Sequence, residues 1–291
     1  MVAVRFSESR LKHLIEATGG EGALRGAREL RDTGRAAGRR IAAALAGFGQ
    51  RLAVSLKNRG RGSLLLQYRP DFHIRADRIE QFEDLAKDWT AQGWLPHGGD
   101  FVRLYLLYLQ VRQVLDARIE GDFAEVGVYR GITAKLLHSL APQKKLYLFD
   151  TFDGFDRLDV AAEARETGRR QSAGQFSDTS LEQVKRFVGS DQNVVYRRGR
   201  FPQTALDLPV GTAFSLVHFD ADLHEPARAF CEFFYPRMTA GGVMIFHDYN
   251  SGFVGVRKAV DGFFGDKPEG VIQIPDKSGT AVVIKNKARP A

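Results

Sequence analysis

The sequence predicts an α/β protein with a seven-stranded, mostly parallel sheet flanked by helices, preceded by a helical N-terminal extension. Two observations lead to this prediction. Five short apolar strands alternate with helical segments from about residue 120 onwards, as expected of parallel strands, which need long crossover connections. Two further short β-branched segments follow, at 271–274 and 280–284, and the turn between them contains Pro and Gly. This pattern predicts a closing hairpin.

Charge divides the chain into two parts. Residues 1–70 contain 14 Lys and Arg against 5 Asp and Glu, whereas residues 71–291 contain 28 against 30. We therefore expect a basic helical N-terminal extension at 1–70 and a separate domain at 71–291, with a helical lead-in at 71–120. The single cysteine, Cys231, rules out an internal disulfide. No apolar run is long enough to span a bilayer or to form a signal peptide, so the sequence predicts a cytoplasmic protein.

The extension contains an amphipathic pattern at about 22–57, with a basic face. Such a segment can lie on an anionic membrane surface, pack against its own domain or form a homo-oligomer contact. The basic residues are not interleaved with aromatic ones, so nucleic acid is not predicted as a partner. Two further helices are predicted before the sheet, at 78–89 and 101–115.

The segment 122–133 predicts a buried strand, a glycine turn and the start of a helix. A dinucleotide fingerprint would place a glycine where Tyr129 stands. Glu125 precedes Gly127 by two residues, and its carboxylate would repel a pyrophosphate but attract an ammonium group. The pattern from Glu125 through Gly127 to Gly131 therefore favours S-adenosylmethionine, which has an amino acid end and a nucleoside end. The alternative is an ordinary strand–turn–helix with a solvated Glu125.

Asp150 ends the second predicted strand, roughly twenty residues after the glycine turn. An acid at this position can accept hydrogen bonds from ribose hydroxyls, although acids are also common in such turns. Residues 156–177 show no clear periodicity, and we expect them to form a loop that serves as a lid. An adenine could stack on, or hydrogen-bond to, the residues at the end of this segment and just after it, Phe176, Ser177 and Asp178. Asp178 could instead cap the next helix, at its N-terminus.

A second group of polar residues follows the fourth and fifth strands. Asp220 ends the fourth strand, and His247 and Asp248 end the fifth. Adjacent parallel strands present their carboxyl ends at one edge of the sheet, where ligands bind in open α/β sheets. Two carboxylates and an imidazole suit Mg²⁺ or another divalent metal. The alternative is a set of strand-terminal acids in water.

Several motifs resemble the macrocin O-methyltransferase family, within the class I S-adenosylmethionine-dependent methyltransferases, which have a Rossmann-like fold. The resemblance covers roughly residues 100–285 and rests on the segments 125–131, 150–155, 176–179, 219–225, 246–249 and 256–261. It implies that Mg²⁺ is held by Asp220 and by a pair of acids after the fifth strand, where this chain has His247 and Asp248. The chain departs from the usual Asp-Asp-Tyr pattern there, so a metal-free mechanism with His247 as base stays open.

The motifs and the resemblance together predict an O-methyltransferase that acts on a hydroxyl, with a sugar of a glycosylated natural product or a polysaccharide as acceptor. Asp220 and His247 are the predicted catalytic residues. Two alternatives are a methyltransferase of catechol-like small molecules and a binding or scaffold protein that uses its basic extension. The predicted cofactor contacts are Glu125, Gly127, Tyr129, Gly131, Thr133, Asp150, Thr151, Phe152, Phe176, Ser177, Asp178 and Asp220.

Overall fold

The computed structural model of the chain describes residues 81–82, 84–86, 88–89, 100–189 and 192–286. The predicted N-terminal extension, including the amphipathic segment at 22–57, lies outside the described residues. The described part of 81–89 is helical, as predicted, and buries Phe82 and Trp89.

Seven strands form one sheet, as the sequence predicts. The strands are β1 (Asp122–Val126), β2 (Leu146–Asp150), β3 (Val194–Arg198), β4 (Phe214–Phe219), β5 (Met238–Phe246), β6 (Ile272–Gln273) and β7 (Ala281–Ile284). Their order across the sheet is β3-β2-β1-β4-β5-β7-β6. Strands β1 to β5 are parallel, and β7 runs antiparallel to both β5 and β6. The order reverses between β1 and β4, so a crevice opens where their carboxyl ends meet.

Helices cover both faces of this sheet. The helices are α1 (Phe101–Asp116), α2 (Ile132–Leu140), α3 (Arg157–Thr167), α4 (Leu181–Val188), α5 (His224–Phe234) and α6 (Val254–Phe264). Helices α1, α2 and α4 pack on one face, and α5 and α6 pack on the other. Alternation along the strands supplies both cores, since Phe123 faces the first core and Ala124 the second. The sheet is buried on both sides, as parallel sheets usually are.

The prediction of a loop at 156–177 was wrong, because helix α3 occupies its first half. Asp156 accepts a hydrogen bond from the backbone N–H of Leu158 at 2.8 Å, and Gly168 ends the helix in a left-handed conformation. These caps and the Ala, Glu and Arg content stabilise a helix that lacks a strong apolar stripe. Ser180, rather than Asp178, caps the N-terminus of α4. No helix within the described residues has both the length and the apolar character needed to cross a membrane.

Candidate active site

A cavity of about 350 Å³ opens at the carboxyl ends of the central strands. This volume falls in the range typical of small-molecule sites, about 300–1,000 Å³. Eight of the predicted site residues line it: Gly127, Tyr129, Asp150, Thr151, Phe176, Asp220, His247 and Asp248. The fold therefore brings predicted site residues from five separate segments of the chain into one cavity.

The glycine turn after β1 approaches the end of β4 very closely. Gly127 has a φ of +88°, and a Cβ added to it would lie 2.3 Å from the backbone oxygen of Asp220. Only glycine fits there. Gly131 likewise has a positive φ of +85° and begins helix α2, where an added Cβ would meet Val188 at 2.7 Å. The turn is thus fixed against both β4 and α4.

Asp150 holds this turn from the neighbouring strand. Its Oδ2 accepts hydrogen bonds from the backbone N–H groups of Val128 at 2.6 Å and Tyr129 at 2.9 Å. Its Oδ1 accepts from the backbone N–H of Phe152 at 2.6 Å. The Thr151 hydroxyl lies against two acceptors, the carbonyl of Gly154 and, at a longer 3.4 Å, Asp150 Oδ1. A ligand hydroxyl at Asp150 Oδ1 would replace this longer contact, and Thr151 would keep its bond to Gly154.

Aromatic rings form one wall of the cavity. The rings of Tyr129 and Phe176 meet edge to face with centroids 5.1 Å apart, and Phe155 also packs edge to face against Phe176, with centroids 5.4 Å apart. The Tyr129 hydroxyl donates to Asp178 Oδ1 at 2.7 Å, and Arg130 pairs with the second oxygen of Asp178. Asp178 therefore supports the wall from outside, where its side chain is 62% exposed.

Glu125 lies beneath the cavity rather than on its surface. Its side chain is fully buried, and its Oε1 lies 2.7 Å from Nδ1 of His218, which is also fully buried. Thr133, in the first turn of α2, also favours the charged form of Glu125 and so lowers its pKa. Burial raises the pKa of Glu125, and the hydrogen bond and charge of His218 oppose that rise. Oε2 of Glu125 has no hydrogen-bond partner among the described residues.

Asp220, His247 and Asp248 converge as the sequence predicts. Their potential ligand atoms all lie within 4.8 Å of one another. Nδ1 of His247 is 2.6 Å from Asp220 Oδ1 and 2.6 Å from Asp248 Oδ2, yet neither contact is aligned as a hydrogen bond. Three potential ligand atoms this close to one another fit a divalent cation. Two carboxylates and one imidazole suit Mn²⁺ and permit Mg²⁺.

The side chains of Asp220 and His247 each favour the charged form of the other. Burial of the His247 ring opposes its charged form, but the Asp220 carboxylate outweighs this effect, and the pKa of His247 rises to about 9. Burial also disfavours the charged form of Asp220, but His247 and Arg103 outweigh it and hold the pKa of Asp220 well below its usual range. Burial and the charges of Asp220 and Asp248 raise the pKa of Asp222.

The sequence analysis missed several residues that line the cavity. Arg103 reaches in from α1, and its Nη1 donates to Asp220 Oδ2 at 3.0 Å. Asp222 is buried between Asp220 and Asp248. At the opposite end, Arg200 donates to Asp159 Oδ1 from Nε at 2.9 Å and from Nη2 at 2.6 Å. The second acid of the Asp-Ala-Asp sequence was a signal for Asp222, whereas a lone arginine in an apolar helix was a weak signal for Arg103.

The remaining predicted residues do not line the cavity but lie around it. Phe152 is buried under it, and its backbone N–H binds Asp150. The Ser177 hydroxyl donates to the carbonyl of Gly174 at 2.8 Å. Residues with these indirect positions are Glu125, Gly131, Thr133, Phe152, Ser177 and Asp178.

Comparison with solved structures defines the fold as Rossmann-like and of the kind found in methyltransferases. The structure of the O-methyltransferase NovP aligns with a TM-score of 0.56 at 24% identity, over 64% of this chain and 80% of that one. The calicheamicin methyltransferase CalS11 aligns with a TM-score of 0.55 at 22% identity, over 77% of this chain and 99% of that one. At this level of identity the likeness concerns the fold.

The chain belongs to the macrocin O-methyltransferase (TylF) family, which matches residues 63–274. This family is one of methyltransferases, and S-adenosylmethionine is its expected cofactor. Two relatives from Streptomyces agree with the assignment. A tetracenomycin-C rhamnosyl 4'-O-methyltransferase from Streptomyces olivaceus is 27% identical over 57% of this chain and 66% of its own length. Demethyldecarbamoylnovobiocin O-methyltransferase from Streptomyces niveus is 25% identical over 58% of this chain and 68% of its own length.

Proposed function

We propose that the protein transfers a methyl group from S-adenosylmethionine to a sugar hydroxyl of a glycosylated natural product. The observation that carries this proposal is the position of the Gly127 turn, Asp150 and the Asp220–His247–Asp248 cluster in one cavity. A cofactor site and a hydroxyl-activating site thus adjoin. The name of one relative supports the acceptor class, since it specifies the 4' oxygen of a rhamnosyl group.

Asp150 and the aromatic wall would hold the nucleoside end of the cofactor. A ribose hydroxyl would bind Asp150 Oδ1 in place of the long contact from the Thr151 hydroxyl. Tyr129 and Phe176 offer ring surface beside it. When bound, the cofactor supplies a methyl group on an already activated sulfonium, so the protein mainly has to align the acceptor oxygen with it. Glu125 does not reach the cavity surface. It would therefore attract the ammonium group of the cofactor from below, either through a bridging water molecule or by longer-range electrostatic attraction.

The acceptor hydroxyl must lose its proton during transfer. We propose that Asp220, His247 and Asp248 would hold a divalent cation, which would lower the pKa of that hydroxyl and position its oxygen. Asp220, the predicted base, or Asp222, which lines the cavity beside it, would take the proton.

Calorimetric titration of the full-length protein tests the cofactor site. We expect S-adenosylmethionine and its demethylated product, S-adenosylhomocysteine, to bind with micromolar affinity. Asp150→Asn should weaken binding about tenfold or more, because it removes a charged hydrogen-bond acceptor. Asp153→Asn is the matched control, since Asp153 is exposed three residues further on and does not line the cavity. A well-folded protein that binds neither ligand would refute the proposal.

An acceptor screen tests the second half of the proposal. Labelled methyl transfer should be measured with glycosides that have free sugar hydroxyls and with catechols, each with and without Mg²⁺. Methylation of a glycoside is the expected result. Methylation confined to catechols would support the alternative acceptor class and overturn the sugar assignment.

A further inference from the structure

We propose that Arg103 binds the carboxylate at the amino acid end of S-adenosylmethionine, an inference that rests on the proposed function. Arg103 lies outside the sequence motifs described above, and none of them predicts a role for it. It lies in the first turn of α1, more than one hundred residues before the strand-end acids that it faces.

Arg103 is held in place from both ends. The backbone N–H of Arg103 donates to Oδ1 of Asp100, the N-cap of α1, at 3.2 Å. Its guanidinium donates from Nη1 to Asp220 at 3.0 Å, and its side chain is only 20% exposed. Nε of Arg103 is buried without a hydrogen-bond partner among the described residues. A guanidinium has five N–H donors, so this one retains donors for a ligand.

The position of Arg103 matches the amino acid end of the cofactor site. Arg103 contacts Asp220, and the backbone of Asp220 abuts the Gly127 turn. Asp150, the proposed ribose ligand, lies on the far side of that turn, at the end of β2. A ligand with its ribose at Asp150 and its sulfonium above Gly127 would therefore extend its amino acid end toward Arg103.

Charge supports the same assignment. This end of the cavity contains the acids Asp220, Asp222 and Asp248, which would repel a carboxylate, and His247, whose Nδ1 faces Asp220 and Asp248. Two arginines of the described part of the chain line the cavity, and Arg200 already gives two N–H groups to Asp159. Arg103 gives a single N–H to Asp220 and has a buried Nε without a partner among the described residues, so it can offer a carboxylate the two parallel hydrogen bonds that a guanidinium forms.

Titration with two ligands separates carboxylate binding from an effect on Asp220. S-adenosylhomocysteine has the carboxylate, and S-adenosyl-3-thiopropylamine is the same molecule without it. Both should be titrated by calorimetry into the full-length protein in the presence of EDTA. Arg103→Met should weaken S-adenosylhomocysteine binding about 10- to 100-fold, since a charged hydrogen-bond pair is lost, and change the affinity of the second ligand less than about twofold.

Three comparisons complete the test. Arg103→Lys keeps the charge but loses the forked donors, so it should give an intermediate loss for S-adenosylhomocysteine alone. Arg112→Met is the control, because Arg112 lies on the same helix but pairs with Asp116. An equal loss for both ligands in the Arg103 variants, or equal affinity of the wild type for both, would overturn the inference. Failure of the wild type to bind either ligand would instead overturn the proposed cofactor site.

Discussion

Glu125 and His218 form a fully buried pair across the two central strands, with Oε1 of Glu125 2.7 Å from Nδ1 of His218. The two residues are direct partners in the parallel register of β1 and β4. The pair lies beneath the cavity, and the charge of His218 helps to lower the pKa of Asp220. The Glu125–His218 pair therefore affects both the stability of the sheet and the pKa values of residues in the site.

Removing His218 should destabilise the fold strongly. His218→Ala leaves the Glu125 carboxyl buried without its partner, so we expect a loss of about 3–5 kcal/mol in the free energy of unfolding. Ser215→Ala is the matched control on the same strand. Ser215 is also fully buried, but its hydroxyl makes one neutral hydrogen bond to the carbonyl of Gly121, so about 1 kcal/mol should be lost. Urea denaturation measures both, and equal losses would contradict the role of the pair.

Asp220 should be essential for turnover but not for cofactor binding. Asp220→Asn keeps the shape of the side chain and removes a charge that His247 and Arg103 both contact. We expect turnover with the acceptor found in the screen to fall about 10²- to 10⁴-fold. The affinity for S-adenosylhomocysteine should change by no more than a few fold.

A control for this variant is Asp207→Asn. Asp207 pairs with Arg197 on the surface, away from the cavity lining, and this substitution should leave turnover unchanged. Normal turnover in the Asp220→Asn variant would remove Asp220 from the proposed mechanism.

Most of the predicted site residues that line the cavity follow strands, whereas Arg103, on a helix, could not be predicted from sequence. Gly127, Asp150, Asp220 and His247 each follow a strand whose apolar pattern is clear, and parallel strands bring such positions to one edge. Arg103 meets Asp220 only because α1 packs against the sheet, a contact across 117 residues that no local pattern encodes.

Helix α3 shows a second limit of sequence reasoning. Its hydrophobic pattern is weak, so the segment was predicted to be a loop. Its end caps and tertiary contacts stabilise it instead: Asp156 caps it, Lys258 pairs with Glu166, and the buried Glu163 binds the backbone of His224. Tertiary contacts of this kind override a weak local pattern.

The affinity of the site for Mg²⁺ should increase with pH. Asp220 raises the pKa of His247 to about 9, above its ordinary value of 6.5, so the imidazole is protonated at pH 7 and must lose that proton to bind a metal. Below pH 9 the apparent affinity should rise by roughly tenfold per pH unit, and above it the rise should level off. Calorimetric titration with Mg²⁺ between pH 7 and pH 9 measures the slope.

His247→Asn provides the control for this pH dependence. The variant replaces the imidazole with an amide, which can still offer an oxygen to a metal but does not titrate. Its affinity for Mg²⁺ should therefore vary little over the same range. Equal slopes in the variant and the wild type would show that a group other than His247 exchanges the proton.

Two glycines of α6 should respond oppositely to the same substitution. A Cβ on Gly255 would lie 2.3 Å from Oε2 of Glu163, which accepts the backbone N–H of His224 at 2.8 Å. Gly255→Ala should thus cost about 1–3 kcal/mol of unfolding free energy, because a buried carboxyl has to move. Gly262 has no neighbour within 4 Å of such a Cβ, so Gly262→Ala should gain roughly 0.5–1 kcal/mol from helix propensity.

The collision with Glu163 can be isolated by a double-mutant cycle. Glu163→Ala removes the carboxyl that the new methyl group would strike. Gly255→Ala should therefore cost much less in the Glu163→Ala background than in the wild type, and urea denaturation of the four proteins gives the coupling free energy. If Gly255→Ala lowers the free energy of unfolding equally in both backgrounds, Gly255 is required by the helix backbone and not by the space that the Glu163 carboxyl occupies. Because α3 also carries Asp159, a displaced Glu163 should shift one wall of the cavity as well.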